Sequence, residues 1–442
     1  MAPVLVVGLG ITGQAVVRAL RARHVPVIAV DDRPTDEQAA MVDSVGARFV
    51  GAPDETLLAR LVDEVAEVLP TPGLPERHPV FGLAQRADVG VISEFDLAAR
   101  WDGRPLVAIT GTNGKTTVTM MVTAMLQASG RRAAAVGNTE VPLVAALDDP
   151  DIEVFVVEAS SFRLATSHAF APRVATWLNF APDHLDVHLS LDAYEEAKAR
   201  IWAGQGPTDV AVANAEDPVV AARTAEARGR VVTYGIERGE WRVRHGRLSG
   251  PDGEDLLAVI DLPRSLPHDV GNALAAAATA HHVGASLEAI RQVLSGWQQL
   301  PHRVQLVARR PDGVGFFDDS KATTPHAVRA ALAGFGSVVL IAGGRNKGLD
   351  LSELAREAER VRAVVAIGES ADEVAATFAG VRPVVMASSM DEAVARADEL
   401  ARPGDEVLLS PGTASFDWYR SYGERGDDFA RSVRAFLSGG EG

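Results

Sequence analysis

Residues 106–117, LVAITGTNGKTT, constrain this chain more than any other stretch. The apolar, β-branched run Leu106, Val107 and Ile109 predicts a buried parallel strand, and the apolar positions of 120–126 predict a helix. Between them lies Thr110-Gly111-Thr112-Asn113-Gly114-Lys115-Thr116-Thr117. Glycines there let backbone N–H groups turn toward an anion, and the helix N-terminus adds partial positive charge. Lys115 can reach terminal phosphates, and the hydroxyl of Thr116 can hold Mg²⁺. The spacing departs from the usual phosphate loop, because Ile109 stands where its first glycine would be. A bare Gly-Lys-Thr could be a solvated turn, but a strand before it and a helix after it favour a nucleotide triphosphate cradle.

With 442 residues, 47% of them hydrophobic, the chain can build two or three cores, and three are expected. Its 59 acidic and 43 basic residues give a formal charge of −16, which argues against a general binder of nucleic acid or anionic membrane. Any phosphate site must therefore be local. The chain has no cysteine, so disulfides and thiolate-zinc sites are excluded. The N-terminal apolar run is short for a signal peptide, and no stretch approaches the ~20 apolar residues of a membrane span. A cytoplasmic enzyme without membrane insertion is the expectation.

Residues 4–7 predict a strand running into Gly8-Leu9-Gly10-Ile11-Thr12-Gly13, followed by apolar positions at helical spacing. A second predicted strand, 25–30, ends in Asp31-Asp32-Arg33. This completes a Gly-x-Gly-x-x-Gly fingerprint with an acidic residue ~20 positions on, the pattern of a Rossmann dinucleotide site. Three readings stand: an NAD-dependent oxidoreductase, a holder for another diphosphate ligand, or a purely structural glycine turn. Thr71-Pro72-Gly73-Leu74-Pro75 fixes a loop at a strand end, either a ligand contact or an ordinary turn. Residues 101–105 read as a linker and set a boundary near 103.

From 106 to about 301 strand and helix patterns alternate. The buried strand predicted over 154–157 delivers Glu158, followed by Ala159-Ser160-Ser161-Phe162, to the same rim as the phosphate loop. A carboxylate there suits a Mg²⁺ ligand, the alternative being a solvated surface residue. His184 and His188 sit four apart, yet the glutamate of a zinc-protease helix is missing, Leu185 taking its place. Tyr194, Ala197, Lys198 and Ile201 share one helical face, which points Lys198 inward among apolar neighbours. Such surroundings favour a neutral amine able to take up CO₂; the alternative is a snorkelling surface lysine. Residues 230–262 include an alternating run and a Gly246 turn, predicting a hairpin without readable chemistry. In the last third, strands over 314–317, 338–342, 364–367, 384–386 and 407–409 predict a second doubly wound sheet.

The octet TGTNGKTT, the string E-A-S-S-F, N-x-x-x-D-H-L-D ending in Asp186, Y-x-x-x-K, and DDSKATTP from Asp318 together resemble the Mur ligase superfamily of amide-forming enzymes. The resemblance covers essentially the whole chain and implies an α/β protein of three domains. These are a Rossmann-like UDP-sugar-binding domain (1–103), a central P-loop-type ATPase domain with a mostly parallel sheet (104–301) and a Rossmann-like amino-acid-binding domain (302–442). It is closest to the branch that adds D-glutamate to UDP-N-acetylmuramoyl-L-alanine for peptidoglycan precursors, and a monomer is expected.

The same resemblance implies roles for individual residues. ATP would be held by Gly111, Thr112, Asn113, Gly114, Lys115, Thr116 and Thr117, with Asn272 at the adenine, Arg303 as an interdomain contact and Asp319 at the ribose. Asn272 could equally be a helix cap. The UDP-sugar would meet Gly10, Ile11, Thr12, Asp32, Arg33, Gly73, Asn138, Ser160 and His184, although Thr139-Glu140 after Asn138 departs from the family pattern. Two Mg²⁺ ions would be held by Thr116, Glu158, His184 and a carbamylated Lys198, and Lys115, His184 and Lys198 would be catalytic. D-Glutamate would contact Lys321, Thr323, Lys347, Ser415 and Tyr422. The string D-N-P-R, expected of a ligase that adds diaminopimelate, is absent from 343–350. Two rivals from other classes remain: an NAD-dependent oxidoreductase, and a UDP-sugar-binding regulator with a vestigial ATP site.

Overall fold

The computed structural model describes residues 2–439. The chain forms two compact units. One comprises Met1–Phe180, Asp186–Leu262 and Gly271–Gly296; the other comprises Ala181–Leu185, Pro263–Val270 and Trp297–Gly442.

The first unit holds two parallel sheets. Strands β1 (Val4–Val7), β2 (Val27–Asp31), β3 (Arg48–Gly51), β4 (Glu67–Pro70) and β5 (Gly90–Val91) lie in the order β3-β2-β1-β4-β5. Strands β6 (Leu106–Thr110), β7 (Ala133–Gly137), β8 (Val154–Glu158), β9 (Val174–Trp177), β10 (Val210–Asn214) and β11 (Arg230–Tyr234) lie in the order β11-β10-β9-β6-β8-β7. Both sheets reverse direction of growth beside the strand that feeds a glycine turn, β1 in one and β6 in the other. That reversal opens a crevice at the carboxyl ends of the strands, the usual ligand position of open α/β sheets. Central strands β1, β6, β8 and β9 are nearly continuous in Val, Ile, Ala and Phe because both faces are covered by helices. A small antiparallel sheet follows: β12 (Arg242–Arg244), β13 (Arg247–Ser249) and β14 (Asp255–Ala258). Its first turn is the expected hairpin, with His245 and Gly246 both at positive φ as a two-residue type I′ connection requires.

The second unit is built on β15 (Gln305–Arg309), β16 (Gly315–Asp318), β17 (Val338–Gly343), β18 (Val361–Ile367), β19 (Val384–Ala387) and β20 (Glu406–Leu409), ordered β15-β16-β20-β17-β18-β19. All pairings are parallel except β15 with β16. The doubly wound sheet therefore carries one antiparallel edge strand that the hydrophobic pattern did not announce. Beta3 was equally silent, since Arg48–Gly51 are exposed or half-buried.

The expected linker near 103 is a bonded knot. The Arg104 guanidinium meets both oxygens of Asp102 and donates to the carbonyls of Leu147, Asp149 and Ile152. It also lies 4.5 Å from the centre of the Phe155 ring. A segment tied at this many points joins the two sheets of the first unit instead of swinging between them.

Gly13 shows why the first turn needs a glycine inside the helix Ile11–Ala22. A Cβ there would overlap the Gly8 carbonyl oxygen and crowd Thr71. Gly10, by contrast, has nothing within 4 Å of its added Cβ. Gly13→Ala is therefore expected to lose about 1–3 kcal/mol by overpacking, and Gly10→Ala, which meets no atom but caps the helix, to lose less than Gly13→Ala. Equal urea midpoints for the two variants would contradict this packing.

Candidate functional site

The helix Lys115–Ala128 starts at Gly114, whose φ of 84° is left-handed and whose backbone turns the chain from β6 into the helix. An added Cβ at Gly114 would sit 2.6 Å from Asn272 Oδ1. Asn272 thus lies against the phosphate loop. It is also well inside the helix Pro267–Val283, which removes the capping alternative.

Two ammonium groups converge on one loop carbonyl. Lys115 Nζ donates to the Gly111 oxygen at 2.9 Å and to the Thr112 oxygen at 3.0 Å, while Lys198 Nζ donates to the same Gly111 oxygen at 2.8 Å. Lys198 is 1% exposed and lies 4.6 Å from the centre of the Tyr194 ring. It points inward with Tyr194, Ala197 and Ile201, as the helical spacing of Leu191–Ala203 required, and is no snorkelling surface lysine. The Tyr194 hydroxyl shares a hydrogen bond with Thr112 Oγ1 at 3.2 Å. Asn179 closes the loop from β9's side by accepting from Asn113 N and donating back to Asn113 O.

Glu158 ends β8 in register with Ile109 of β6, so its carboxylate belongs to the loop's rim. The residue is buried; Oε1 accepts from Asn138 Nδ2 at 2.8 Å, and Oε2 is buried with no hydrogen-bond partner among the described residues. An anionic oxygen of this kind fits a divalent cation, since a buried unpaired charge is otherwise costly. No group of three or more His, Asp or Glu side chains gathers as a ready-made metal cluster among the described residues. Thr116 lies in the first turn of the same helix. His184 has φ of 57° and lies in Ala181–Leu185 of the second unit, where its backbone N–H and Nε2 both meet Asp183.

At the amino-terminal turn, Asp31 is already engaged. Its Oδ2 accepts the Leu9 N–H at 2.7 Å and its Oδ1 the Arg33 N–H at 2.9 Å. The acidic residue that the fingerprint reserves for an NAD ribose instead braces the glycine turn. Asp32, exposed, lies 3.2 Å from His78 Nε2, and Arg33 is exposed. Ile11 is 72% exposed at the helix start, and Thr12 is buried. Gly73 lines a cavity of ≈ 270 Å³ together with Leu74, Phe81, Phe162 and Val187, which favours a ligand-facing loop over an ordinary turn. His188 also borders it. The ring is 1% exposed, with Nδ1 2.7 Å from Glu76 and Nε2 2.9 Å from Ser161 Oγ, so it is a strut between the loop and the Ser161–Leu164 helix.

In the second unit, Asp319 is buried, accepting from Ser410 Oγ at 2.7 Å and Val304 N at 3.2 Å. Arg303 offers its carbonyl to Arg264. Lys321 Nζ lies 3.8 Å from the centre of the Tyr422 ring, and Lys347 Nζ 5.5 Å from that of Phe416. Ser415 is buried, whereas Thr323 is half-buried. Sequence reasoning missed Arg425. It is 1% exposed, and its guanidinium donates to Ser320 Oγ, Ser320 O and Thr413 O, with one terminal nitrogen unpartnered among the described residues. Burial lowers its pKa to about 10. It clamps the segments that present Lys321 and Ser415. Its only sequence signal was a cation inside the string Tyr422-Gly423-Glu424-Arg425-Gly426.

Three family models match the chain: a Mur ligase MurD-like N-terminal domain over residues 2–93, a Mur ligase middle domain over 109–280 and a Mur ligase glutamate ligase domain over 302–412. A UDP-N-acetylmuramoylalanine--D-glutamate ligase of Frankia casuarinae is 46% identical, covering 98% of this chain and 94% of that protein. Proteins of the same name from Rubrobacter xylanophilus and Legionella pneumophila are 41% and 38% identical, each covering 97% of this chain and at least 97% of their own length. Among solved structures, a pseudomurein peptide ligase type C from Methanothermus fervidus superposes with a TM-score of 0.63 at 19% identity, covering 99% and 100% of the two chains. A UDP-N-acetylmuramate-alanine ligase from Thermotoga maritima gives 0.57 at 19% identity, covering 100% and 99%. These structural likenesses concern the α/β three-domain fold.

Burial pushes the Asp319 carboxyl up to about 7. A raised carboxyl pKa means the folded state holds a proton that the unfolded chain releases near 3.8, so this group's contribution to stability is lost as pH rises from about 4 to about 7. Relative to the parent, Asp319→Asn is expected to gain stability across that window in urea titrations at pH 5 and pH 8. A difference between the two proteins that does not change with pH would contradict it.

Proposed function

The chain belongs to the Mur ligase family, and from that premise we propose that it is an ATP-dependent ligase joining D-glutamate to UDP-N-acetylmuramoyl-L-alanine in cytoplasmic peptidoglycan precursor synthesis. The observation that carries the reading is the convergence of Lys115 and Lys198 on the Gly111 carbonyl, on the rim where β8 delivers Glu158. Among the described residues no helix is long and apolar enough to cross a membrane. The engagement of Asp31 by Leu9 weighs against the oxidoreductase alternative. The division at 1–103, 104–301 and 302–442 is retained as a functional one, and a monomer is expected.

The alanine carboxylate attacks the γ-phosphorus of ATP, giving an acyl phosphate and ADP. The D-glutamate amine then attacks the acyl carbon, the acyl C–O bond breaks with its electron pair leaving on phosphate, and the nitrogen gives up a proton to solvent, leaving the amide. Lys115, released from the Gly111 and Thr112 carbonyls, follows the phosphoryl charge, and loop N–H groups from Gly111 to Thr117 hold the phosphates. Both steps join anions or an anion and an amine, so orientation and charge compensation supply most of the acceleration. Glu158 and Thr116 would hold Mg²⁺, with His184 and a carbamylated Lys198 for a second ion; bound there, Mg²⁺ supplies charge neutralisation. Asn272, Arg303 and Asp319 are assigned to the nucleoside. Gly10, Ile11, Thr12, Asp32, Arg33, Gly73, Asn138, Ser160 and His184 are assigned to the UDP-sugar. Lys321, Thr323, Lys347, Ser415 and Tyr422 are assigned to D-glutamate, where the two lysines offer charge to its two carboxylates.

Phosphate release from ATP, Mg²⁺ and UDP-N-acetylmuramoyl-L-alanine is expected with D-glutamate and not with L-glutamate, L-lysine or diaminopimelate. Release with another amino acid would keep the ligase chemistry and overturn the D-glutamate contacts. No release would return attention to the amino-terminal turn. For Lys198, ¹³C-bicarbonate is expected to give a carbamate resonance that is missing in Lys198→Arg. Full activity in Lys198→Ala would remove the lysine from the mechanism.

A further inference from the structure

Arg163 carries none of the roles assigned above, yet its side chain ties the two sheets of the first unit together. It is 6% exposed in the short helix Ser161–Leu164, just beyond Glu158. Its Nε donates to Glu94 Oε2 at 3.0 Å. One terminal nitrogen donates to Asn138 Oδ1 at 2.9 Å, and the other to Thr12 Oγ1 at 2.9 Å. Glu94 is 2% exposed, and its second oxygen accepts the Leu143 N–H at 2.6 Å. The guanidinium is therefore held in plane by a neutralising partner that is itself fixed.

A guanidinium donates and never accepts, and this fixes the polarity of what it touches. Thr12 uses its oxygen to accept from Arg163, so its own proton is left to give to an anionic acceptor. Asn138 presents its carbonyl oxygen to Arg163, so its NH₂ must face the other way, where it donates to Glu158 Oε1 at 2.8 Å. That bond occupies one carboxylate oxygen and leaves the buried, unpartnered Oε2 as the one available to a cation. A single side chain thus orients a donor in the glycine turn and selects the free oxygen of the acidic rim residue.

We propose that Arg163 is a positioning residue that sets the hydrogen-bond polarity of the Thr12 turn and of Glu158 together, with Glu94 holding its fork in register. The inference rests on the functional reading above, in which Thr12 meets a sugar nucleotide and Glu158 a divalent cation. Because Glu94 already cancels the charge, the effect comes from the planar fork, which a lysine at this position would lack.

Two variants of the full chain test this. Arg163→Lys keeps the charge pair with Glu94 and loses the fork. Arg163→Gln combined with Glu94→Gln removes both charges, so that no carboxylate is left buried alone. Sugar-nucleotide affinity is read by calorimetry with UDP-N-acetylmuramoyl-L-alanine in the absence of ATP and metal. Cation affinity is read by electron paramagnetic resonance of Mn²⁺ with a non-hydrolysable ATP analogue. Each variant is expected to weaken both by about tenfold or more, the scale for losing a group that orients a ligand, while its thermal midpoint and circular dichroism stay near the parent's. Parent-like affinities in folded Arg163→Lys, or weakening only in step with a lowered midpoint, would overturn the proposal. If the parent itself binds no sugar nucleotide, the functional reading and the Thr12 half fail together, and the Mn²⁺ measurement alone decides the Glu158 half.

Discussion

One carbonyl oxygen, that of Gly111, accepts hydrogen bonds from two lysines, and the rest of the first unit is arranged to make that possible. Two ammonium groups on one neutral acceptor repel each other, and the Tyr194 ring and the Thr112 carbonyl are among the groups that offset that cost. The arrangement makes sense as a resting state for a site whose ligand brings several negative charges. Glu158 adds a buried carboxylate oxygen without a hydrogen-bond partner among the described residues, on the same rim. Two cationic side chains and a buried carboxylate with one oxygen unpartnered among the described residues share this rim, which supports the proposed metal-nucleotide site.

The amino-terminal sheet shows how a familiar sequence pattern can serve a different end. Its glycines do what the fingerprint promises: Gly13 lets the helix press on Gly8, and the turn lies at the end of β1 beside the reversal of strand order. The acidic residue does not, because Asp31 is spent on the Leu9 and Arg33 N–H groups. What is exposed there is Ile11 at the helix start and, at the end of β2, Asp32 and Arg33. Specificity in such folds is decided by which side chains the turn keeps for itself.

Much of this was legible in the sequence where the signal is local. The strand, turn and helix over 106–128, the inward face of Leu191–Ala203 and the delivery of Glu158 by β8 follow from periodicity and from residue types at strand ends. What was illegible depends on neighbours far apart in the chain. Arg163 reaches Thr12 across 151 positions and Glu94 across 69; Arg425 reaches Ser320 across 105. His188 lies in a loop, and its buried partners Glu76 and Ser161 come from segments 112 and 27 positions away. The Asp102–Arg104 segment was read as a linker because proline, glycine and charge mark turns whether or not the arginine finds carbonyls to bind. Beta3 and β15 were missed because edge strands carry little of the alternating apolar signal.

The loop at the end of β6 is expected to bind a nucleotide triphosphate, and the amino-terminal glycine turn is expected not to bind a dinucleotide. Calorimetric titration of one preparation with a non-hydrolysable ATP analogue plus Mg²⁺, and separately with NADH, tests both halves together. Saturable one-to-one binding of the analogue, lost in Lys115→Met, and no heat with NADH are expected. Binding of NADH without the analogue, or analogue binding indifferent to Lys115, would contradict these expectations.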